Sequence, residues 1–310
     1  MKFISHKFVF LVIILTLSIP IMTQASSIVG QFPFKVDRNR TILPVRIGES
    51  DTLDVILDSG MGFAGFYFFH RELKDQLGLN TLREVIVPGA GSGEGSKAWQ
   101  VDSATIHIGS MDFDNQMVII SRSEYTQTFP TDGVAGWTLL GPYAVEIDYN
   151  KLIMTLHDPQ KLSLDSNWTT LDMTLNKKNV PFIDVAISIA GEDDIPISCY
   201  IDFAAGEAIE LMEKQSMKFG YPDSLTKSYL GTGLSGDIYG SYGRIASLTI
   251  ANHKLSNVKA AYASEEVRSK MEGADGIIGN DALRRFNLIF DYNNLKLYLK
   301  PNSHFDEPFE

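Results

Sequence analysis

The chain carries two near copies of one pattern, separated by 143 residues. The copies read DGVAG at 132–136 with VEIDYN at 145–150, and DGIIG at 275–279 with LIFDYN at 288–293. Self-similarity at a fixed spacing indicates a duplicated structural unit. We therefore expect two lobes of the same fold, residues 26–163 and residues 164–310.

Within each half, short apolar or alternating runs are separated by clusters of glycine, aspartate, asparagine and proline. Such runs are typical of strands joined by turns. They are residues 43–47, 53–57, 104–108, 117–120, 144–148 and 152–156, and then 182–189, 196–201, 245–250, 258–262, 288–291 and 295–299. The pattern predicts an all-β fold with short helices, and the amphipathic stretches 70–78 and 212–220 are the expected helices.

An aspartate ends an apolar strand in each half, and the two aspartates correspond under the duplication. Asp58 follows the run VIL, and Asp202 follows CYI 144 residues later. A carboxylate at the end of a buried strand is destabilising unless it is paired or hydrogen-bonded. Because clefts form preferentially where domains meet, we expect the two aspartates to face each other at the lobe interface. Duplication alone is also consistent with two packed β-domains that share no chemistry.

These motifs resemble those of the pepsin-like and retroviral aspartic proteases. In that family, each of two β-lobes contributes an Asp-Thr/Ser-Gly loop, backed by a segment of two apolar residues and a glycine. The matching positions are Asp58, Ser59 and Gly60 with Gly136, and Asp202, Phe203 and Ala204 with Gly279. The resemblance covers almost all of the chain after residue 25. It implies a double β-barrel in which Asp58 and Asp202 activate a water to hydrolyse peptide or protein substrates, with no cofactor and no metal.

The second loop departs from the family pattern. Phe203 stands in place of the hydroxyl residue, and Ala204 in place of the glycine. In the family the two hydroxyls hydrogen-bond across the lobes, which Ser59 can do and Phe203 cannot. Two alternatives to an active endopeptidase stay open, the first because of this departure and the second because of composition and the export signal alone. One is a catalytically impaired relative that binds extended peptides in the cleft; the other is a β-rich structural or carbohydrate-binding module.

A glycine-rich stretch follows the first Asp loop, where the family has a hairpin flap over the cleft. Residues 87–99 read VPGAGSGEGSKAW, and repeated glycines favour a mobile hairpin tip. The resemblance assigns Gly91, Gly93 and Trp99 to substrate binding. The alternative is a surface loop beside a core tryptophan.

Two other patterns in the sequence are set aside. The sequence GTGLSG at 231–236 matches the glycines of dinucleotide-binding loops, but hairpin-like residues follow it where such a loop needs a helix. We expect it to be the second lobe's counterpart of the loop at 89–95. The six histidines show no paired spacing and Cys199 is the single cysteine, so we expect no zinc site and a buried, unpaired thiol.

The N-terminus is typical of a cleavable signal peptide, residues 1–25. Lys2 and Lys7 precede an apolar run at 8–19, which is shorter than the roughly 20 residues of a spanning helix. We therefore expect cleavage after Ala25 and a secreted or periplasmic chain without stable membrane insertion. The formal charge of −11 argues against nucleic acid as a partner. The oligomeric state stays open.

Overall fold

The protein is nearly all β, with 55% of residues in strands and 6% in helices, and it contains two closed six-stranded barrels. The computed structural model describes residues 27–79, 83–89, 95–190, 193–212, 219–220, 222, 224–264 and 273–310. The predicted fold class, all-β with two barrel lobes, is confirmed. The predicted signal peptide and the flap residues Gly91 and Gly93 lie outside the described residues.

The first half contains eleven described strands and the second half eleven more. The first are β1 Ile28–Pro33, β2 Lys35–Asp37, β3 Arg40–Ile47, β4 Leu53–Leu57, β5 Phe66–Phe68, β6 Arg83–Val87, β7 Ser96–Ile108, β8 Met111–Ser121, β9 Gly133–Ala135, β10 Ala144–Asp148 and β11 Ile153–His157. The second are β12 Thr169–Asp172, β13 Thr174–Leu175, β14 Pro181–Ser188, β15 Ile195–Asp202, β16 Ile209–Met212, β17 Thr226–Gly233, β18 Gly236–Ile250, β19 His253–Ala263, β20 Gly276–Gly279, β21 Phe286–Asp291 and β22 Lys296–Pro301.

The described helices are all one turn long. They are α1 Leu73–Gln76, a 3₁₀ turn at Tyr125–Thr128, α2 Trp137–Leu140 and α3 Asn280–Leu283. The helix predicted at 70–78 is thus reduced to its centre, where Leu73 is buried, and the chain leaves it at Gly78 with a left-handed φ of 61°. The helix predicted at 212–220 starts too early, because Met212 ends a strand; residues 213–218 lie outside the described part. Within that part, no helix is long and apolar enough to cross a membrane.

The duplication is visible in the two lobe sheets, which have the same strand order. The first lobe runs β2-β3-β4-β9-β5-β8-β7-β6, and the second runs β13-β14-β15-β20-β16-β19-β18-β17. Pairing of β3 with β7, and of β14 with β18, closes each sheet on itself. In each lobe the strand that leads to the aspartate lies parallel to the strand that ends at the backing glycine or one residue before it.

A third sheet joins the halves in the order β1-β11-β10-β21-β22-β12. Its two central strands, β10 and β21, come from different halves and pair antiparallel, with Val145 opposite Phe290. The boundary expected between residues 163 and 164 falls between β11 and β12. Each half therefore contributes three strands to a sheet that neither could complete alone.

Alternation along the strands separates two apolar clusters in the first lobe. Leu57, Phe66 and Phe68 belong to the main core, which continues into the second lobe. Their neighbours on the opposite strand faces form a second cluster, here called the cleft cluster. It consists of Ile42, Ile56, Met61, Tyr67, Phe69, Val87, Ala98, Ile119 and Val134. Ala204 and Leu234 of the second lobe pack against it, so the cleft cluster lies on the side of the first lobe that faces the second. Cys199 is buried and unpaired as expected.

Candidate active site

Asp58 lies directly after β4, where the backbone is fixed by the neighbouring parallel strand. Leu57 pairs with Ala135 of β9, and the Asp58 N–H donates to the Ala135 carbonyl at 2.8 Å. The Asp58 carboxylate accepts from the Met61 N–H at 3.0 Å. A Cβ on Gly136 would lie 2.0 Å from the Asp58 carbonyl oxygen. Only glycine therefore allows the backing segment to approach this loop so closely.

Asp202 occupies the equivalent place in the second lobe. It is the last residue of β15 and pairs with Gly279 of β20. Its carboxylate accepts from the Ala204 N–H at 2.8 Å, so alanine supplies the backbone donor that the missing glycine would have supplied. A Cβ on Gly279 would lie 2.2 Å from the Glu207 carbonyl oxygen. The requirement for glycine is therefore the same in both lobes.

The two aspartate side chains meet over Gly60. A Cβ on this glycine would lie 3.1 Å from Oδ1 of Asp58 and 3.4 Å from Oδ2 of Asp202. Both aspartates are half-buried. Burial and then the nearby charge of Asp202 raise the pKa of Asp58 well above its ordinary value of 3.8, against the lowering effect of the Gly60 and Met61 N–H groups. Two carboxyl groups in such an arrangement retain one proton between them over a wide pH range.

The two loops are hydrogen-bonded to each other through Ser59. Its side chain is buried and its Oγ donates to the Ile201 carbonyl at 2.7 Å. The same Oγ accepts from the Phe203 N–H at 3.3 Å. Ser59 thus contacts both peptide groups that flank Asp202, and the cross-lobe contact expected of this hydroxyl is present.

Phe203 does not separate the two loops. Its side chain is fully buried in the main core, where its ring lies 5.2 Å from that of Phe290 on β21. The residue therefore anchors the second loop by apolar packing. The cross-lobe hydrogen bond that a hydroxyl at this position would make to the first loop is lost.

A contact that the sequence reasoning missed holds the second loop from outside. Arg40, the first residue of β3, donates from Nε to the Ala204 carbonyl at 3.0 Å. In the other direction, Asn179 donates from Nδ2 to the Gly62 carbonyl at 3.0 Å. The two residues lie in or just after the first hairpin turn of their lobes. No motif signals these bonds, because each depends on how one lobe sits against the other.

Two hairpins approach each other near the cleft cluster. The first is formed by β6 and β7, and the second by β17 and β18, in which Gly233 pairs with Gly236. The sequence GTGLSG is therefore a hairpin end, as expected, and no helix follows it. A Cβ on Gly89 would lie 2.5 Å from Cβ of Leu234. The hairpin of the first lobe thus contacts that of the second.

Trp99 lies on the face of β7 that points away from the cleft cluster. Its neighbour Ala98 belongs to that cluster, whereas Trp99 packs against the main core, as alternation along a strand requires. Lys74 and Arg122 lie over its ring, 5.1 and 4.9 Å from the centroid. This placement matches the core tryptophan that was the alternative to a substrate contact.

The duplicated tyrosines Tyr149 and Tyr292 have different surroundings. Tyr149 is buried, and its hydroxyl donates to Oδ1 of Asn280 at 2.7 Å and lies 2.9 Å from Oγ1 of Thr41. Trp137 occupies the position in the first lobe that Asn280 occupies in the second, and its ring lies 5.5 Å from that of Tyr292. The indole offers the Tyr292 hydroxyl no oxygen acceptor.

Tyr292 is a second residue that the sequence reasoning missed. It is buried, and its hydroxyl has no hydrogen-bond partner among the residues that the structure describes. Burial and then the charges of Asp58 and Asp202 raise the pKa of Tyr292. The repeated sequence DYN at 148–150 and 291–293 could have drawn attention to it.

The arrangement has the parts required for water-dependent hydrolysis. Two close carboxyl groups can hold one proton and polarise a water and a carbonyl together. Comparison of the sequence with protein-family models and with curated proteins gave no match. A function therefore has to be proposed from the residues and their geometry.

Proposed function

We propose that this protein is an exported aspartic-type endopeptidase that uses Asp58 and Asp202 as its catalytic pair. One observation carries the proposal: the two carboxylates come from corresponding positions in two duplicated lobes and meet at Gly60. Their nearest oxygens lie 3.1 and 3.4 Å from where a Cβ on Gly60 would be. Ser59 supports it further, since its hydroxyl bonds the first loop to the second.

The reaction follows from the single proton that the pair retains. The ionised carboxyl takes a proton from a water held between the two aspartates, while the protonated carboxyl polarises the carbonyl of the scissile peptide bond. The water attacks, the carbonyl carbon becomes tetrahedral, and the aspartate pair returns the proton taken from the water to the leaving amine as the C–N bond breaks. No covalent intermediate forms. The apparent pKa values of the reaction belong to the pair and not to either residue.

The proposed substrate is an extended peptide lying between the Asp loops and the two hairpins. Apolar side chains of the cleft cluster face this region, and Leu234 of the second hairpin packs against them. Strand-like backbone pairing is a general way to hold extended peptides at hairpin edges. The proposed location, secreted or periplasmic, rests on the N-terminal sequence.

A second candidate function is peptide binding without efficient cleavage. It is favoured by Phe203 and Ala204, which stand where the family has a hydroxyl residue and a glycine and leave the second loop without a side-chain hydrogen bond of its own to the first loop. A small displacement of a catalytic group can reduce the rate about a hundredfold while the cleft still accepts a peptide.

Digestion of a peptide library from about pH 3 to about pH 8 tests the proposal. Wild type is compared with Asp58→Asn, Asp202→Asn and the matched control Asp172→Asn, whose carboxylate lies on the surface. The proposal requires cleavage by wild type and the control and none by the two site variants. If none of the four proteins cleaves the library but wild type still binds peptides from it, the second candidate is favoured. Equal cleavage by all four proteins would overturn both.

A further inference from the structure

The second Asp loop is held across the lobe interface by bonds that the first lobe supplies. Ser59 bonds to the Ile201 carbonyl and the Phe203 N–H, and Arg40 bonds to the Ala204 carbonyl. These bonds involve the residues before and after Asp202. The opposite lobe thus helps to set the position of Asp202, together with its own strand pairing.

Ala204 is where the Arg40 bond acts on the candidate site. The N–H of Ala204 donates to the Asp202 carboxylate at 2.8 Å, and its carbonyl accepts from Arg40 at 3.0 Å. A shift of Ala204 would therefore move the backbone donor that orients Asp202. The alanine side chain has no polar atom with which to hold the residue in place.

The position of Arg40 is fixed by the turn before it. Arg38 and Asn39 have left-handed φ values of 47° and 55°, and they reverse the chain between β2 and β3. The Arg38 carbonyl lies 3.2 Å from where a Cβ on Gly206 would be. The turn therefore packs on the second Asp loop, and its next residue is directed at Ala204.

The second lobe has no equivalent cation. Ile42 is opposite Ile56, and Phe182 is opposite Tyr200, so the register places Val180 where the first lobe has Arg40. The turn of the second lobe also donates across the interface, from Asn179 to the Gly62 carbonyl, but Gly62 lies four residues after Asp58, whereas Arg40 reaches the residue two after Asp202. The closer donor thus faces the Asp loop that lacks a hydroxyl.

We propose that Arg40 is a positioning residue for Asp202, replacing through Ala204 the cross-lobe bond that Phe203 cannot make. This inference rests on the proposed function. Arg40 does not touch the reacting groups; it holds the loop that presents one of them.

The test uses Arg40→Met, Arg40→Lys and the matched control Arg38→Met. Arg38 lies in the same turn and carries the same charge, but its side chain is exposed and pairs with Asp37. We expect Arg40→Met to lower kcat about ten- to hundredfold, because Arg40 holds the loop that carries Asp202. KM should stay nearly unchanged, because Arg40 does not touch the reacting groups. The kcat of Arg40→Lys should lie between those of Arg40→Met and wild type, because an ammonium can still donate to the Ala204 carbonyl. Arg38→Met should match wild type.

A second readout does not need turnover. Carbon-13 NMR titration of the aspartate side chains reports the Asp58–Asp202 pair directly. If Arg40→Met lets Asp202 move away, its charge acts less on Asp58, and the higher apparent pKa of the pair falls toward the ordinary range. Arg38→Met should leave that pKa in place. An unchanged titration in Arg40→Met, or equal shifts in both variants, would overturn the inference. A shift in Arg40→Met alone supports it even if library digestion shows no cleavage, so the two proposals fail separately.

Discussion

The hydroxyl of Ser59 donates to the carbonyl of Ile201 across the lobe interface, at 2.7 Å. This bond joins the residue after one candidate catalytic aspartate to the residue before the other. The geometry of the pair and the association of the lobes therefore depend on the same buried atom.

Replacing Ser59 by alanine should weaken both stability and the candidate site. The change leaves the Ile201 carbonyl and the Phe203 N–H without this partner, and such a buried loss costs about 1–3 kcal/mol. We expect the free energy of unfolding in urea to fall by that amount and the proposed peptidase activity to fall with it. Ser103→Ala is the control, because Ser103 is an exposed serine bonded to Asn115. Equal stability of the two variants would contradict the prediction.

The raised pKa of Asp58 predicts how stability depends on pH. A carboxyl whose pKa is higher in the folded than in the unfolded protein binds its proton more tightly when folded. Its contribution is fully present below the unfolded value near 3.8 and is lost as pH rises through the folded value. Wild type should therefore lose stability relative to Asp58→Asn over this interval, which begins near pH 4 and extends toward neutral. Urea unfolding of both proteins at a series of pH values measures the difference. A difference that stays constant with pH would refute the linkage.

The same pair sets the expected pH profile of peptide cleavage. The rate should rise as the first carboxyl ionises and fall as the shared proton is lost. Because burial and Asp202 raise the pKa of Asp58, the falling limb should lie well above the ordinary carboxyl range. Initial rates on one cleaved peptide across the pH range give both limbs. A falling limb in the ordinary range would mean that the two carboxyls do not share a proton in solution.

The duplicated tyrosines provide a matched pair of stability variants. Tyr149→Phe removes a hydroxyl that bonds to Asn280 and Thr41 and should cost about 1 kcal/mol. Tyr292→Phe removes a buried hydroxyl that has no partner within the described residues, so it should be neutral or stabilising by about 1 kcal/mol. Thermal and urea unfolding of both variants give the comparison. Equal destabilisation would show that the Tyr292 hydroxyl is bonded in solution.

Much of the fold and of the site could be predicted because it follows from local pattern and from duplication. Comparing the halves identifies Asp58 and Asp202 with Gly136 and Gly279. In both lobes the backing glycine lies too close to the backbone of the Asp loop for any side chain. The expected strands follow from alternation of apolar residues.

The remainder depends on how the parts come together. The local sequence around Arg40 does not predict its contact with Ala204, because 164 residues separate the two and the hydrogen bond forms only when the lobes pack together. The glycine-rich loop next to Trp99 suggests a place in the cleft, but the strand register turns its side chain to the main core. The stretch 70–78 has a helical pattern, but only one turn forms, at Leu73–Gln76, and the chain leaves it through a left-handed Gly78.

The six-stranded sheet joins three strands from each half through the pairing of β10 with β21. A chain cut between β11 and β12 would therefore yield two fragments, each with an open sheet edge and one aspartate of the pair Asp58 and Asp202. Neither fragment alone would contain the pair on which the proposed hydrolysis depends. The proposed activity of the cut protein would rise with the product of the two fragment concentrations, whereas in the intact chain the two aspartates meet within one molecule at any concentration.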